Sequence, residues 1–216
     1  MTTRILFVGN SFTARNSLPD LLAQLVEAGG KGALEWKLVS AGGASLRQHF
    51  NKGDVAALLR DAPWDSVVLQ EQSTLPAKNA ARMGDNVRDL HALIRQAGAR
   101  TVLYMTWARA DAPETQTAIS AAYAESGQQV GATVVPAGLA WQFCLAQEPQ
   151  IVLHDRDGSH PALAGSYLAA CAFYKVLFAG RAKKIPTLDI AVPKAEQLAL
   201  QACARQAVSA FRKGAF

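Results

Sequence analysis

Hydrophobicity along this chain alternates between two textures. One is the short unbroken apolar run: Ile5 to Val8, closed by Gly9; the centre of Asp65 to Gln70; Thr101 to Met105; and Ala132 to Val135, closed by Pro136. Runs of this kind, bounded by turn formers, read as strands buried on both faces. Glu35 to Val39 is a shorter and more mixed strand candidate. The other texture is apolar residues recurring at the spacing of a helix face. Leu18, Leu21, Leu22, Leu25 and Val26 show it, between a start at Ser17-Leu-Pro-Asp20 and a stop at Gly29-Gly30. Ser17 suits the cap, Pro19 the first turn, and Asp20 stands where a capping acid belongs. Further helices are predicted over Leu46 to Arg60, ended by Pro63, and over Asn79 to Gln96, stopped at Gly98. Others run from Pro113 and Glu114 to about Val130, from Gly138 to Gln147, from Ala162 to Ala179 and from Val192 to Lys213. Ile151 to Leu153 is extended and delivers the loop His154 to Pro161.

Strands alternating with helices predict an α/β fold of three layers, α/β/α, around a parallel sheet. Five strands suggest the flavodoxin-like order 2-1-3-4-5, with the first strand interior and beside the switch point. Right-handed crossovers then bring every strand's carboxyl end to one rim. No repeat, low-complexity segment or linker divides the 216 residues, so one domain is expected.

Composition narrows the function classes. Half the residues are apolar and 18% are charged, as in a globular protein with a full core. No apolar run approaches a membrane span. Met-Thr-Thr-Arg leads directly into the first strand with no leader-like segment, which points to the cytoplasm and to no membrane partner. The net charge of +5 is scattered, with mild clusters at Arg181, Lys183 and Lys184 and at Arg212 and Lys213. No basic stripe with interleaved aromatics is present, so nucleic acid is not an expected partner. Cys144, Cys171 and Cys203 are odd in number, widely spaced and in apolar helical contexts, which predicts buried free thiols. Nothing in the pattern fixes an oligomeric state.

The chemistry-bearing residues collect at the predicted strand ends. Gly9-Asn10-Ser11 follows the first strand, Gly42-Gly43 the second, and Gln70-Glu71-Gln72-Ser73 the third. Asp157-Gly-Ser-His160-Pro161 lies in the loop before the helix at Ala162. Acyl transfer needs a nucleophile, a base, a group that orients the base, and donors for the oxyanion. Ser11 can be the first. Asp157 and His160, three apart on one loop, suit a carboxylate on one imidazole nitrogen while the other faces the nucleophile. The N–H groups of Ser11 and Gly43 and a glutamine amide are candidate oxyanion donors. Taken alone, Gly9-Asn10-Ser11 and Gly42-Gly43 are equally good plain turns.

These blocks, in this order and placement, resemble the SGNH/GDSL hydrolase superfamily of esterases and lipases. Gly9-Asn10-Ser11-Phe12 is similar to its first block, with Asn10 where Asp is commoner. Ala41-Gly-Gly-Ala44 is similar to the glycine block, and Asp157-x-x-His160 to the last. The third block departs: the family usually shows Gly-x-Asn-Asp where this chain has Gln70-Glu71-Gln72-Ser73. Glutamine versions of it occur in carbohydrate acetylesterase branches, and the pair "GNSFT" and "LQEQS" looks like a little-characterised subgroup. The resemblance implies Ser11 as nucleophile, His160 as general base and Asp157 as its orienter. It implies an oxyanion hole from Ser11 N–H, Gly43 N–H and a glutamine, with Gln70 at the strand end preferred and Gln72 the alternative. It implies hydrolysis of short-chain acyl esters, O-acetyl above all and carbohydrate among the alcohols, with no metal or organic cofactor. The alternative is an idle binding protein of the same fold for a carbohydrate or small ligand.

Several residues carry weaker readings. Asn10, Trp107 and Arg109 lie on the expected rim and are candidates for substrate contact, though a loop tryptophan packs into a core as readily. His154, Asp155, Asp157 and His160 could instead ligate a divalent ion. His49 and His91 fall within predicted helices as surface or half-buried residues with no role assigned. Cys171 reads as core rather than nucleophile.

Overall fold

The computed structural model describes residues 2–179 and 184–214. Five parallel strands form one sheet: β1 Thr2–Gly9, β2 Ala33–Ser40, β3 Ser66–Leu69, β4 Arg100–Tyr104 and β5 Thr133–Val135. Their order is β2-β1-β3-β4-β5, the flavodoxin-like order expected from the alternation. The helices are α1 Ser11–Ala14, α2 Leu18–Ala28, α3 Leu46–Lys52, α4 Asp54–Asp61, α5 Leu75–Lys78, α6 Ala80–Gln96, α7 Gln116–Val130, α8 Ala137–Gln147, α9 Leu163–Leu177 and α10 Lys194–Arg212. Arg181 and Lys183, part of one basic cluster, lie outside the described residues.

The apolar runs became the strands because both faces of the sheet are covered. Ile5 to Val8 and Val67 to Leu69 are all within 1% of complete burial, whereas edge strand β2 alternates half-buried and exposed residues. Helices α2 and α9 meet over one face, where Phe7 packs edge-on against Phe173 at 6.0 Å. The three thiols are buried and free, as their apolar contexts predicted. Among the described residues no helix is long and apolar enough to cross a membrane.

Register places the rim. Gly9 lies level with Ser40, and Val8 level with Leu69, so the chain leaves β1, β2 and β3 at nearly one height. Two local departures from the sequence reading shape the loops around that rim. The single helix expected over Leu46 to Arg60 is two, broken at Gly53, whose φ of +81° suits glycine and ends α3. Ser17 stands at the N-cap position but caps no backbone N–H: its backbone is left-handed, as is that of Asn16 (φ 49° and 52°), and its hydroxyl bonds the Asp20 carboxylate. Ile151 to Leu153 leads into a loop that closes on itself through a bridge between His154 and Pro161.

Candidate active site

β1 delivers Ser11 at the start of the one-turn helix α1. Asn10 caps that turn, its Oδ1 accepting from Phe12 N–H at 3.0 Å. The other end of the same amide donates to Ala44 O at 3.0 Å, which ties the nucleophile turn to the glycine loop after β2. An aspartate could make the first of these bonds but not the second. Asn10 is 2% exposed, so the expected substrate contact is corrected: the residue is a strut between two loops. A Cβ on Gly9 would stand 2.6 Å from Gln70 Oε1 and 2.7 Å from Thr13 Oγ1, so any side chain there would displace the Gln70–Thr13 contact beneath the turn. The Gly9 carbonyl meets His49 Nε2 at 2.7 Å. His49 is therefore buried beneath the turn rather than on the surface; Leu46, His49 and Phe50 share a helix face, the signal that could have placed it.

Ser11 Oγ lies 2.8 Å from His160 Nε2, and His160 Nδ1 lies 2.5 Å from Asp157 Oδ2. These partners set the tautomer, with Nδ1–H donated to the carboxylate and Nε2 free to accept from the serine. Asp157 Oδ1 also accepts the backbone N–H groups of Ser159 and His160, each at 2.9 Å. The imidazole bond first, then these two N–H bonds, hold the Asp157 carboxyl well below the usual carboxylate range. The loop is braced from outside itself: Trp107 Nε1 donates to Ser159 O at 3.0 Å, Ala110 N–H to Gly158 O at 2.8 Å, and Asn16 Nδ2 to Pro161 O at 2.9 Å.

Around Ser11, the N–H groups of Ser11 and of Gly43 make no hydrogen bond among the described residues. Gly43 is exposed with φ +66°, in a turn closed by Ala44 N–H on Ala41 O. The preference for Gln70 as third donor is corrected by the geometry. Gln70 is fully buried; its Oε1 accepts from Asn10 N–H and Thr13 Oγ1, both at 2.9 Å, and its Nε2 donates to Glu71 O at 2.5 Å. Gln72 is half-buried; its Oε1 accepts from the N–H groups of Thr74 and Leu75 while its Nε2 makes no bond among the described residues.

Trp107 is a packing residue, 2% exposed, stacked between Phe12 (4.9 Å) and Trp141 (3.8 Å). It shares with Arg109, Pro113, Leu145 and His154 the lining of a cavity of about 400 Å³ to which Ser11, Asp157 and His160 do not contribute. Arg109 is exposed there and is not brought against the serine. The four residues read as a candidate metal cluster go separate ways: His154 Nε2 bonds Ala108 O, Asp155 pairs with Arg15 at 3.2 Å, and Asp157 and His160 bond each other. Among the described residues no three His, Cys, Asp or Glu side chains are grouped to hold a metal ion.

Solved structures match this architecture. A protein of Slackia heliotrinireducens assigned to the SGNH hydrolases is 30% identical, over 82% of this chain and all of that one, with a TM-score of 0.70. That identity, over the whole of the relative, decides the family. The chain belongs to the SGNH hydrolases. A DUF4886 family protein from Bacteroides uniformis superposes on this SGNH protein with a TM-score of 0.80 at 22% identity, covering 97% of this chain and 95% of its own. An acetyl-xylooligosaccharide esterase from Geobacillus shares the fold at 15% identity, with a TM-score of 0.59 over 80% of this chain and 93% of its own. No family model matches the sequence, and no curated protein matches it significantly.

Proposed function

We propose that this SGNH hydrolase is a serine esterase of short acyl esters, O-acetyl esters foremost, with carbohydrate among its alcohols. The observation that carries the reading is the continuous chain Ser11 Oγ–His160 Nε2, His160 Nδ1–Asp157 at 2.8 and 2.5 Å, beside the Ser11 and Gly43 N–H groups, which have no hydrogen-bond partner among the described residues. In the proposed cycle His160 Nε2 takes the Ser11 proton as Oγ attacks the ester carbonyl carbon. The carbonyl oxygen, now carrying the charge, is held by the N–H groups of Ser11 and Gly43 and by Gln72 Nε2. The alcohol departs with the proton from His160 and leaves an acyl-serine. Water, deprotonated by His160, then attacks that acyl carbon, and Ser11 leaves as the hydroxyl with release of the acid. Asp157 stays a carboxylate throughout and stabilises the imidazolium.

The acetyl preference draws support from the esterase names among the fold relatives and from the short connections at the rim. Nitrophenyl esters of increasing chain length test it. Acetate and propionate are expected to exceed octanoate in kcat/KM, with the turnover abolished in Ser11→Ala. Equal or better kcat/KM on octanoate would replace the short-acyl reading with a long-acyl groove. Turnover surviving in Ser11→Ala would remove the serine esterase reading itself.

A further inference from the structure

The polar run leaving β3 contains a buried acid that the proposed cycle does not use. Glu71 is fully buried. Its Oε1 accepts two backbone N–H groups, Leu46 at 3.0 Å and Gln72 at 2.7 Å. Its Oε2 accepts from Asn86 Nδ2 on α6 at 2.8 Å. Asn86 in turn accepts from Arg47 Nε at 3.1 Å, and Arg47 pairs with Asp89 at 2.6 Å. Leu46 opens α3, just beyond the glycine loop, and Gln72 carries the amide nitrogen that makes no bond among the described residues. One carboxyl oxygen thus fastens together the two loops that hold Gly43 and Gln72, although 25 residues separate Leu46 from Glu71.

Burying a carboxyl group is costly unless its lone pairs are met, so packing alone is a poor reason to place one here. All three partners are N–H donors, so both oxygens must accept, which no neutral isostere can reproduce. From the strand side, Gln70 already anchors the nucleophile turn; Glu71 is the next residue and points its bonds the other way, to the glycine loop and α6. We infer that Glu71 is a positioning residue for the oxyanion hole: it sets the separation between the Gly43 N–H and the Gln72 amide. The inference rests on the esterase reading above. Oxyanion donors act by being fixed before charge develops, and a shift of about 1 Å at such a site can cost ~10²-fold in rate.

The test uses Glu71→Gln and the pair Glu71→Gln with Asn86→Asp. In the single variant an NH₂ must face either the Leu46 and Gln72 N–H groups or the Asn86 NH₂, donor against donor. The second substitution offers that NH₂ an acceptor and leaves Arg47 a partner. The expected result on nitrophenyl acetate is a kcat loss of ~10–10²-fold in the single variant with KM within about threefold. Most of it should return in the double variant. Hydrogen exchange should show the Leu46 and Gln72 amides losing protection together in the single variant and regaining it together. Unchanged kcat, or loss of protection in one loop alone, would overturn the inference. If the single variant does not fold, a folded double variant within about threefold of wild-type kcat sustains it, and one depressed ~10-fold overturns it. A wild type without Ser11-dependent turnover would sink the esterase reading, while the paired exchange still decides whether Glu71 couples the loops.

Discussion

Gln70 and Glu71, beneath the nucleophile, are sealed from solvent, whereas Asp157 exposes 47% of its side chain on the opposite flank of the same serine. The first flank joins the ends of β1, β2 and β3 through buried side chains, each with its polar atoms met. The second flank is a surface loop pinned at intervals by Trp107, Ala110, Asn16 and the ion pair of Arg15 with Asp155. The difference reflects what each flank must do. Oxyanion donors work only if they cannot reorganise, which a buried network secures. A base has to receive, turn over and return a proton beside an incoming water, which suits a loop in contact with solvent. Substitutions in the buried flank should therefore cost stability and activity together, and those in the exposed flank activity alone.

The largest effect expected is at the junction of the two. Ser11→Ala should lower kcat on an activated acetyl ester by at least ~10³-fold and leave Tm almost unchanged, because only Oγ is removed. Next, Asp157→Asn should lower kcat by ~10²–10³-fold with the fold intact, since an amide cannot stabilise the imidazolium. A large drop in its Tm would break the division between flanks. On the buried side, Gln70→Ala strands the Asn10 N–H, the Thr13 hydroxyl and the Glu71 carbonyl, at ~1–3 kcal/mol for a buried orphan. Calorimetry should show a Tm loss of several degrees alongside reduced kcat, and an unchanged Tm would refute the buried-network account. Asn16→Gly keeps the left-handed backbone but removes the bonds to Pro161 O and Ser166 Oγ, so kcat should fall only a few-fold with Tm nearly constant. The smallest effect concerns acid stability. The folded-state carboxyl of Asp157 lies below its ordinary value of about 3.8, so its contribution is fully present above that pH. It is lost only as the pH falls further, through the folded value. The Tm difference between wild type and Asp157→Asn should then close as the pH is taken below about 3.8, as thermal melts in increasingly strong acid would show.

Much of this is legible in the chain alone. Unbroken apolar runs mark the strands, their alternation with helices implies the order, and spacing along one rim brings Ser11, Asp157 and His160 into view. What resists reading depends on partners far away in sequence. Gln70 and Gln72 are the same residue type two positions apart, and only Asn10 and Thr13, some sixty residues earlier, decide that the first is buried as an anchor. Glu71 looks like one more polar loop residue because its partners come from α3 and α6. Asn10 reads as a rim residue for the same reason, its second bond reaching Ala44. Gly53 could have divided the long helix, but a lone glycine is a weak stop without the turn around it.

The stacked indoles of Trp107 and Trp141 have a use outside chemistry. They lie parallel within 1° and 3.8 Å apart, close enough for their electronic transitions to couple, and Trp107 also holds the carbonyl of Ser159, next to His160. The protein thus contains an optical gauge wired to the base loop. Displacement of that loop, by an occupant or by heat, would alter the ultraviolet circular dichroism and emission of the pair without any attached dye.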